Sequence, residues 1–117
     1  MNPVELLAAE IESLVRADTD LSAAFPDVPG WLDYGPPLDG GPSPCVRLDG
    51  LTDLNDKLGR YTCFIKLWST DTTSAFITLA EQFKAVLNTS TMMDPGGYLP
   101  RPEGGRSCAM WTVTFAA

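Results

Sequence analysis

One stretch near the middle of the chain decides the fold, YTCFIKLWS at residues 61–69, because its side chains alternate strictly between two faces. One face carries Tyr61, Cys63, Ile65 and Leu67, and the other carries Thr62, Phe64, Lys66 and Trp68. Alternation among β-branched and aromatic residues predicts a strand. Because both faces are partly apolar, we expect a central strand, or one with a helix layer on one face and a neighbour or loop on the other.

An amphipathic helix is predicted before this strand, over residues 3–17. Asn2 can cap it, Pro3 suits its first position, and Glu5 lies three residues after the cap. Apolar residues then recur at spacings of three and four, which is typical of a helix with one buried face. A short turn is predicted at residues 21–25, before the first glycine- and proline-rich segment.

A second amphipathic helix is predicted after the strand. Thr72, Thr73 or Ser74 can cap it, and a continuous apolar stripe runs through residues 76–87. Asn88 is expected to end this helix in the left-handed conformation.

Three further strands complete the predicted sheet. They are a short edge strand at residues 31–34, a second short strand at Cys45–Leu48, and a closing strand at residues 106–116. Residues 51–59 suit either a connection or one loose helical turn. The economical arrangement is an α+β two-layer sandwich, with two amphipathic helices packed on one face of a mostly antiparallel four-stranded sheet.

Glycine and proline are concentrated in two segments. Of the 20 Gly and Pro residues, ten fall at residues 25–44 and seven at residues 95–105. The 117-residue length is that of one ordinary domain. We therefore expect a single domain over residues 1–117 with long irregular loops at about 25–44 and 94–106.

Charge and hydropathy argue against several classes of partner. The formal net charge is −7, and the eight cations form no run, so the average surface repels nucleic acid and anionic lipid. No secretion signal and no run of about 18 apolar residues is present in the sequence. We expect a protein that does not enter membranes.

The residues that usually carry catalysis are scarce. The sequence has no His, which excludes Ser-His-Asp and Cys-His nucleophiles. Its three Cys are far apart and fall within predicted strands, so buried free thiols are expected rather than disulfides. Isolated thiols and carboxylates are a poor metal ligand set. The prediction is no enzyme, no metal and no cofactor.

Candidate interface residues lie in or beside the two irregular loops. Long ordered loops tend to be functional, and exposed aromatic residues beside Arg are favoured at protein interfaces. The candidates for a subunit or tube interface are Trp31, Tyr34, Tyr98, Arg101 and Arg106. The alternative is that Trp31 and Tyr34 fold back as a lid on the sheet.

The order of these segments resembles a known family. Four segments carry the resemblance: the amphipathic start at residues 4–15, the strand start at Pro44-Cys45-Val46, CFIKLWS at residues 63–69 leading into a helix at residues 75–87, and the closing strand. Together they are similar to the tail terminator or tail-completion proteins of long-tailed bacteriophages. The resemblance spans the whole chain.

The resemblance implies a structural role in the virion. Proteins of this family have an α/β fold and form a hexameric ring on the last ring of the tail tube. They stop tube growth and join the tail to the filled head. The implied partners are other copies of this chain, the tail-tube protein and the head-tail connector proteins, with assembly in the host cytoplasm. DNA would pass through the lumen without specific binding. No catalytic residue and no cofactor is implied.

Two other functions remain open from the sequence. The first is another neck component, either a head-tail connector or a stopper. The second is a small cytosolic ligand-binding module that uses its loops as a pocket.

Overall fold

The computed structural model describes residues 2–96 and 106–117 and, between them, the backbone of Leu99 and Pro100. Its elements, in chain order, are α1 Pro3–Ala17, α2 Thr19–Ala24, β1 Leu32–Tyr34, β2 Cys45–Asp53, β3 Arg60–Ser69, α3 Thr73–Leu87, β4 Met93–Pro95, β5 Leu99–Pro100 and β6 Ser107–Ala116. None of the helices in the described ranges is both long enough and apolar enough to cross a membrane.

The strands form one sheet in the order β1-β2-β3-β6-β4, and β5 also pairs with β6. The predicted central strand, β3, pairs antiparallel with β2 on one side and with β6 on the other. The short edge strand β1 pairs with β2 in parallel, so the sheet is mixed. The two short strands β4 and β5 lie one after the other along the outer edge of β6.

The predicted α+β class is correct, whereas the predicted numbers of elements match only roughly. The four predicted strands form, and the second glycine- and proline-rich segment adds β4 and β5. The turn expected near residue 21 is a helix of its own, α2, because the Asp18 carboxylate accepts a hydrogen bond from Leu21 N at 2.9 Å and caps it. β4 was not predicted because it has only three residues, which are too few to show an alternating pattern.

The buried apolar side chains of the helices pack on one face of the sheet. This main core includes Leu7 and Ile11 from α1, Phe83 from α3, and Ile65 and Trp111 from β3 and β6. The Phe83 and Trp111 rings lie 5.2 Å apart between centroids. The apolar stripes of α1 and α3 are therefore buried against the alternating residues of the strands, as the sequence pattern predicts.

The helix ends depend on local hydrogen bonds. At α1 the Asn2 side chain accepts from Glu5 N at 2.8 Å and donates to the Glu5 carboxylate at 2.7 Å. Thr72 caps α3. The prediction for Asn88 is wrong: it has φ −68° and ψ −14°, which is right-handed, and its N–H bonds to Lys84 O at 3.0 Å. The last turn of α3 simply continues through Asn88, so a left-handed residue is not required there.

The β2–β3 connection settles the open question about residues 51–59. Residues 51–53 continue β2 past an irregularity in its pairing with β3, and the following residues form a turn. The Asp56 carboxylate organises the turn by accepting from Leu58 N at 3.0 Å and from Arg60 N at 3.1 Å. Residues 54–59 are thus a connection without a helical turn, whereas residues 51–53 belong to β2, which neither sequence alternative states.

Gly50 lies at the irregularity in β2. Its φ is +63°, and a Cβ atom built there would lie 2.7 Å from Cδ2 of Phe64. Glycine is the residue that adopts this conformation at low cost and leaves room for the ring. Gly50 therefore allows β2 to bend and to continue pairing with β3.

Candidate functional site

The face of the sheet opposite the helices is covered by a loop. Because β1 and β2 are parallel neighbours, the chain between them must cross back along the sheet. We call residues 35–44, which make this connection, the crossover loop. Its first residue, Gly35, donates its N–H to Leu48 O at 2.9 Å, and near its end the Ser43 hydroxyl accepts from Thr70 N at 3.0 Å. The crossover loop is thus tied to the sheet at both ends.

Arg106 holds the middle of the crossover loop. Its guanidinium donates to Leu38 O and to the Asp39 carboxylate, each at 3.4 Å. Arg106 is one of the predicted interface residues, and the structure gives it an intramolecular role in joining the loop to β6.

A small second core lies under this loop. It consists of Cys45, Trp68 and Cys108, which are direct neighbours across β2, β3 and β6. All three Cys of the chain are buried and free. The second core explains why the outward face of β3 carries a tryptophan, since a loop covers it.

A cleft of about 200 Å³ opens beside Trp68. It is lined by Gly35, Pro36, Pro37, Arg47, Asp49, Lys66 and Trp68. A smaller cleft of about 80 Å³ lies on the other side of Trp68, beneath the second half of the crossover loop. We call the larger one, between the start of the crossover loop and strands β2 and β3, the Arg47 cleft.

Two cations face each other in the Arg47 cleft. Arg47 and Lys66 are directly opposite residues of β2 and β3. Lys66 Nζ bonds the Asp49 carboxylate at 2.9 Å, whereas Arg47 Nη1 lies 3.9 Å from a carboxylate oxygen of Asp33. Like charges on opposite residues repel, so this pairing needs anions around it.

Arg47 is buried to an unusual degree for a charged residue. It is only 3% exposed, and its Nε–H has no hydrogen-bond acceptor among the described residues. The same holds for Trp68, which is 8% exposed and whose Nε1–H likewise finds no acceptor in the described ranges. Buried donors are satisfied in the great majority of proteins. The Arg47 cleft therefore contains two N–H donors, from Arg47 and Trp68, that have no acceptor among the described residues, and the Lys66 ammonium lines the same cleft.

The Asp49 carboxyl group in the Arg47 cleft and the Cys45 thiol in the smaller cleft have shifted pKa values. The hydrogen bond from the Lys66 ammonium lowers the pKa of Asp49. Burial raises the pKa of Cys45, although the guanidinium groups of Arg47 and Arg106 oppose this effect. The Cys45 thiol is thus protonated at neutral pH, and it is a poor nucleophile.

Trp31 lies in the main core, which corrects the expectation that the core does not account for it. It is 6% exposed, and its ring lies 5.2 Å from that of Phe25. The Arg16 guanidinium lies 4.8 Å from the ring centroid and also donates to Phe25 O and Pro26 O. Arg16 therefore fixes the chain before β1 so that Trp31 covers the edge of the core.

Of the remaining interface candidates, the structure describes Tyr34. Tyr34 is 46% exposed, and its hydroxyl accepts from Leu51 N at 3.3 Å. Tyr98 and Arg101 lie outside the described residues. The interface role of Tyr34, Tyr98 and Arg101 stays a prediction.

Exposed apolar side chains lie at both ends of the sheet. Leu38 of the crossover loop, held by Arg106, lies near the start of β2 and is 68% exposed. Leu54 and Leu58 flank the β2–β3 turn at the other end and are 41% and 68% exposed. The nine residues of β2 separate these ends by roughly 26 Å, at about 3.3 Å per residue.

Sequence reasoning missed Arg47, Lys66 and Asp49 as a group. The available signal was their alternation with apolar residues in two neighbouring strands, which places them on the face away from the helices. Across the described ranges, no group of three or more Cys, Asp or Glu side chains could hold a metal ion. No protein-family model matches the chain, and no curated protein matches its sequence.

Proposed function

We propose that this protein is a structural subunit of a long-tailed phage, a tail terminator that forms a ring on the tail tube, stops its growth and joins tail to head. Its partners are then further copies of itself, six in a ring, the tail-tube protein and the head-tail connector proteins. Its place is the neck region of the virion. The proposal starts from the resemblance of residues 63–69 and the helix that follows them to that family.

The observation that carries this proposal is the presence of exposed leucines at opposite ends of the sheet. A closed ring uses heterologous contacts, in which each subunit presents two different patches to its two neighbours. Leu38 at one end, and Leu54 with Leu58 at the other, supply two such patches on one subunit. A single patch would support only a pair of subunits.

The charges agree with a ring through which DNA slides. The formal net charge is −7. Arg60, Lys66 and Arg106 each have an aspartate partner within 3.4 Å, so these cations are partly neutralised within the subunit. A lumen that gripped phosphates would slow DNA passage, and the aspartate partners weaken the attraction of these three cations for phosphates.

The test is the assembly state of the purified protein and of variants in each patch. Leu38→Gln and Leu58→Gln should each abolish rings in native mass spectrometry and binding to tube ends in electron microscopy. Their free energies of unfolding should change by less than about 0.5 kcal/mol, because both side chains are exposed. Ile77→Gln is the matched control, since Ile77 is 50% exposed on α3, away from both patches.

A mixture of the two variants sharpens this test. If Leu38 of one subunit contacts the Leu58 patch of the next, one intact contact survives in the mixture, and dimers appear without rings. A wild-type protein that stays monomeric and never binds tube ends would contradict the proposal. Density between the portal and the connector, rather than on the tube, would instead identify another neck component.

A further inference from the structure

The Arg47 cleft has the features of a binding site for an acidic group. We infer that it binds a single carboxylate, with the Arg47 guanidinium and the Trp68 indole N–H as donors and the Lys66 ammonium beside them. This inference does not depend on ring formation, since all of these residues belong to one subunit.

The unsatisfied donors are the first argument. Arg47 Nε and Trp68 Nε1 are both buried, both lack an acceptor in the part of the chain that the structure describes, and both belong to residues that line the same cleft. A buried donor without a partner costs free energy, and a charged one costs more. A carboxylate has two acceptor oxygens and can satisfy an arginine in the bidentate geometry that guanidinium favours.

The charge of the cleft favours a carboxylate over a phosphate. Two cations, Arg47 and Lys66, are accompanied by two anions, Asp33 and Asp49, at the salt-bridge distances of 3.9 and 2.9 Å. The four side chains together are formally neutral. A carboxylate adds one negative charge, whereas a phosphate adds nearly two next to Asp49, whose pKa is lowered by Lys66 and which is therefore ionised.

The size and walls of the cleft indicate a small acid or a single side chain. Its volume of about 200 Å³ is several times the roughly 30 Å³ that one water molecule takes in the liquid. Pro36, Pro37 and the Trp68 ring supply apolar walls. The occupant is thus a carboxylate carrying a short apolar segment, either a free acid or an acidic side chain of a second copy of this chain.

The experiment is a titration of the full chain with acetate and with butyrate, followed by nuclear magnetic resonance at pH 7 and at constant ionic strength set with sodium chloride. The probes are the indole Nε1–H signal of Trp68, assigned by its loss in Trp68→Phe, and the Nε–H signal of Arg47. Both signals should shift and saturate at millimolar acid. Phosphate should bind at least fivefold more weakly.

Variants identify the donors. Arg47→Gln should weaken binding at least tenfold, measured at the Trp68 signal. Trp68→Phe keeps an aromatic wall and removes only the N–H, so it should weaken binding about fivefold, measured at the Arg47 signal. It also tests the inference if Arg47→Gln fails to fold. The matched control is Arg60→Gln, because Arg60 lies at the far end of β3 and bonds Asp56. The affinity of this variant for acetate should equal that of the wild type.

Several results would overturn the inference. They are a shift that grows linearly without saturation, the same shift with chloride alone, unchanged affinity in Arg47→Gln, or tighter binding of phosphate than of acetate. Dilution of the protein without added acid distinguishes the two sources of the carboxylate, a free acid and a second copy of the chain. A Trp68 signal that moves on dilution and is then restored by acetate identifies a second copy of the chain, and a signal that moves only with added acid identifies a free acid.

Discussion

The two faces of the sheet are covered in different ways. One face meets α1 and α3 through a continuous apolar core. The other face meets the ten residues of the crossover loop. Beneath this loop lie the three side chains of the second core and the Arg47 cleft, which contains Arg47 and Lys66. The apolar core on the helix-covered face stabilises the fold, whereas the loop-covered face has room for charged side chains. The cationic side chains of Arg47 and Lys66 therefore lie on the face that a loop covers, not on the face that the helices cover.

The largest expected effect contrasts one tryptophan on each face. Trp111→Ala should lower the free energy of unfolding by about 3–5 kcal/mol, because the fully buried ring is packed against Phe83 in the main core. Trp68→Ala should cost about 1–2 kcal/mol, because the crossover loop can settle into part of the space. Urea denaturation of both variants checks the difference. Equal losses would show that the loop packs as firmly as a helix layer.

A smaller effect is expected at the bend of β2. Gly50→Ala should cost about 2 kcal/mol, from the positive φ and from the contact of the new methyl group with Phe64. Gly40→Ala is the control, because Gly40 has φ +70° but nothing within 4 Å of its Cβ position, and it should cost only about 1 kcal/mol. Thermal denaturation measures both. If the two losses are equal, the ring of Phe64 moves aside freely.

The smallest effect belongs to the ion pair on the loop-covered face. Asp49→Asn should cost less than about 1 kcal/mol at pH 7, because the carboxylate is half exposed. The folded pKa of Asp49 is lowered, so its contribution is present above the unfolded value of about 3.9 and is lost as the pH falls through the folded value. Denaturation at pH 7 and at pH 2 should therefore show a difference from wild type only at pH 7. The same difference at pH 2 would assign the effect to packing.

The helix-covered face could be predicted from the sequence, for a physical reason. α1, β3, α3 and β6 each bury one set of regularly spaced side chains, so burial leaves its period in the sequence. β4 was not predicted, and β1 was predicted from the Gly and Pro residues that end it rather than from a period in its side chains. Each has three residues, and its position depends on hydrogen bonds to a neighbour rather than on its own side chains.

The loop-covered face was predicted less well, because its geometry depends on the path of the crossover loop. Nothing in the glycine and proline content of residues 35–44 indicates that they cross β2 and β3 near Trp68. Trp31 was misjudged for a related reason. It belongs to a proline-rich segment, yet Arg16, on the polar side of α1, draws that segment onto the core.

The crossover loop also divides the three thiols into two groups. Cys45 and Cys108 lie beneath it, whereas Cys63 lies in the main core under the helices. Local opening of a loop requires less free energy than opening of a whole core. Lifting of the crossover loop should expose Cys45, which lines the cleft beneath it, whereas Cys63 should become accessible only when the helix layer separates from the sheet. The cysteines of this chain thus record two different opening reactions, one local and one global.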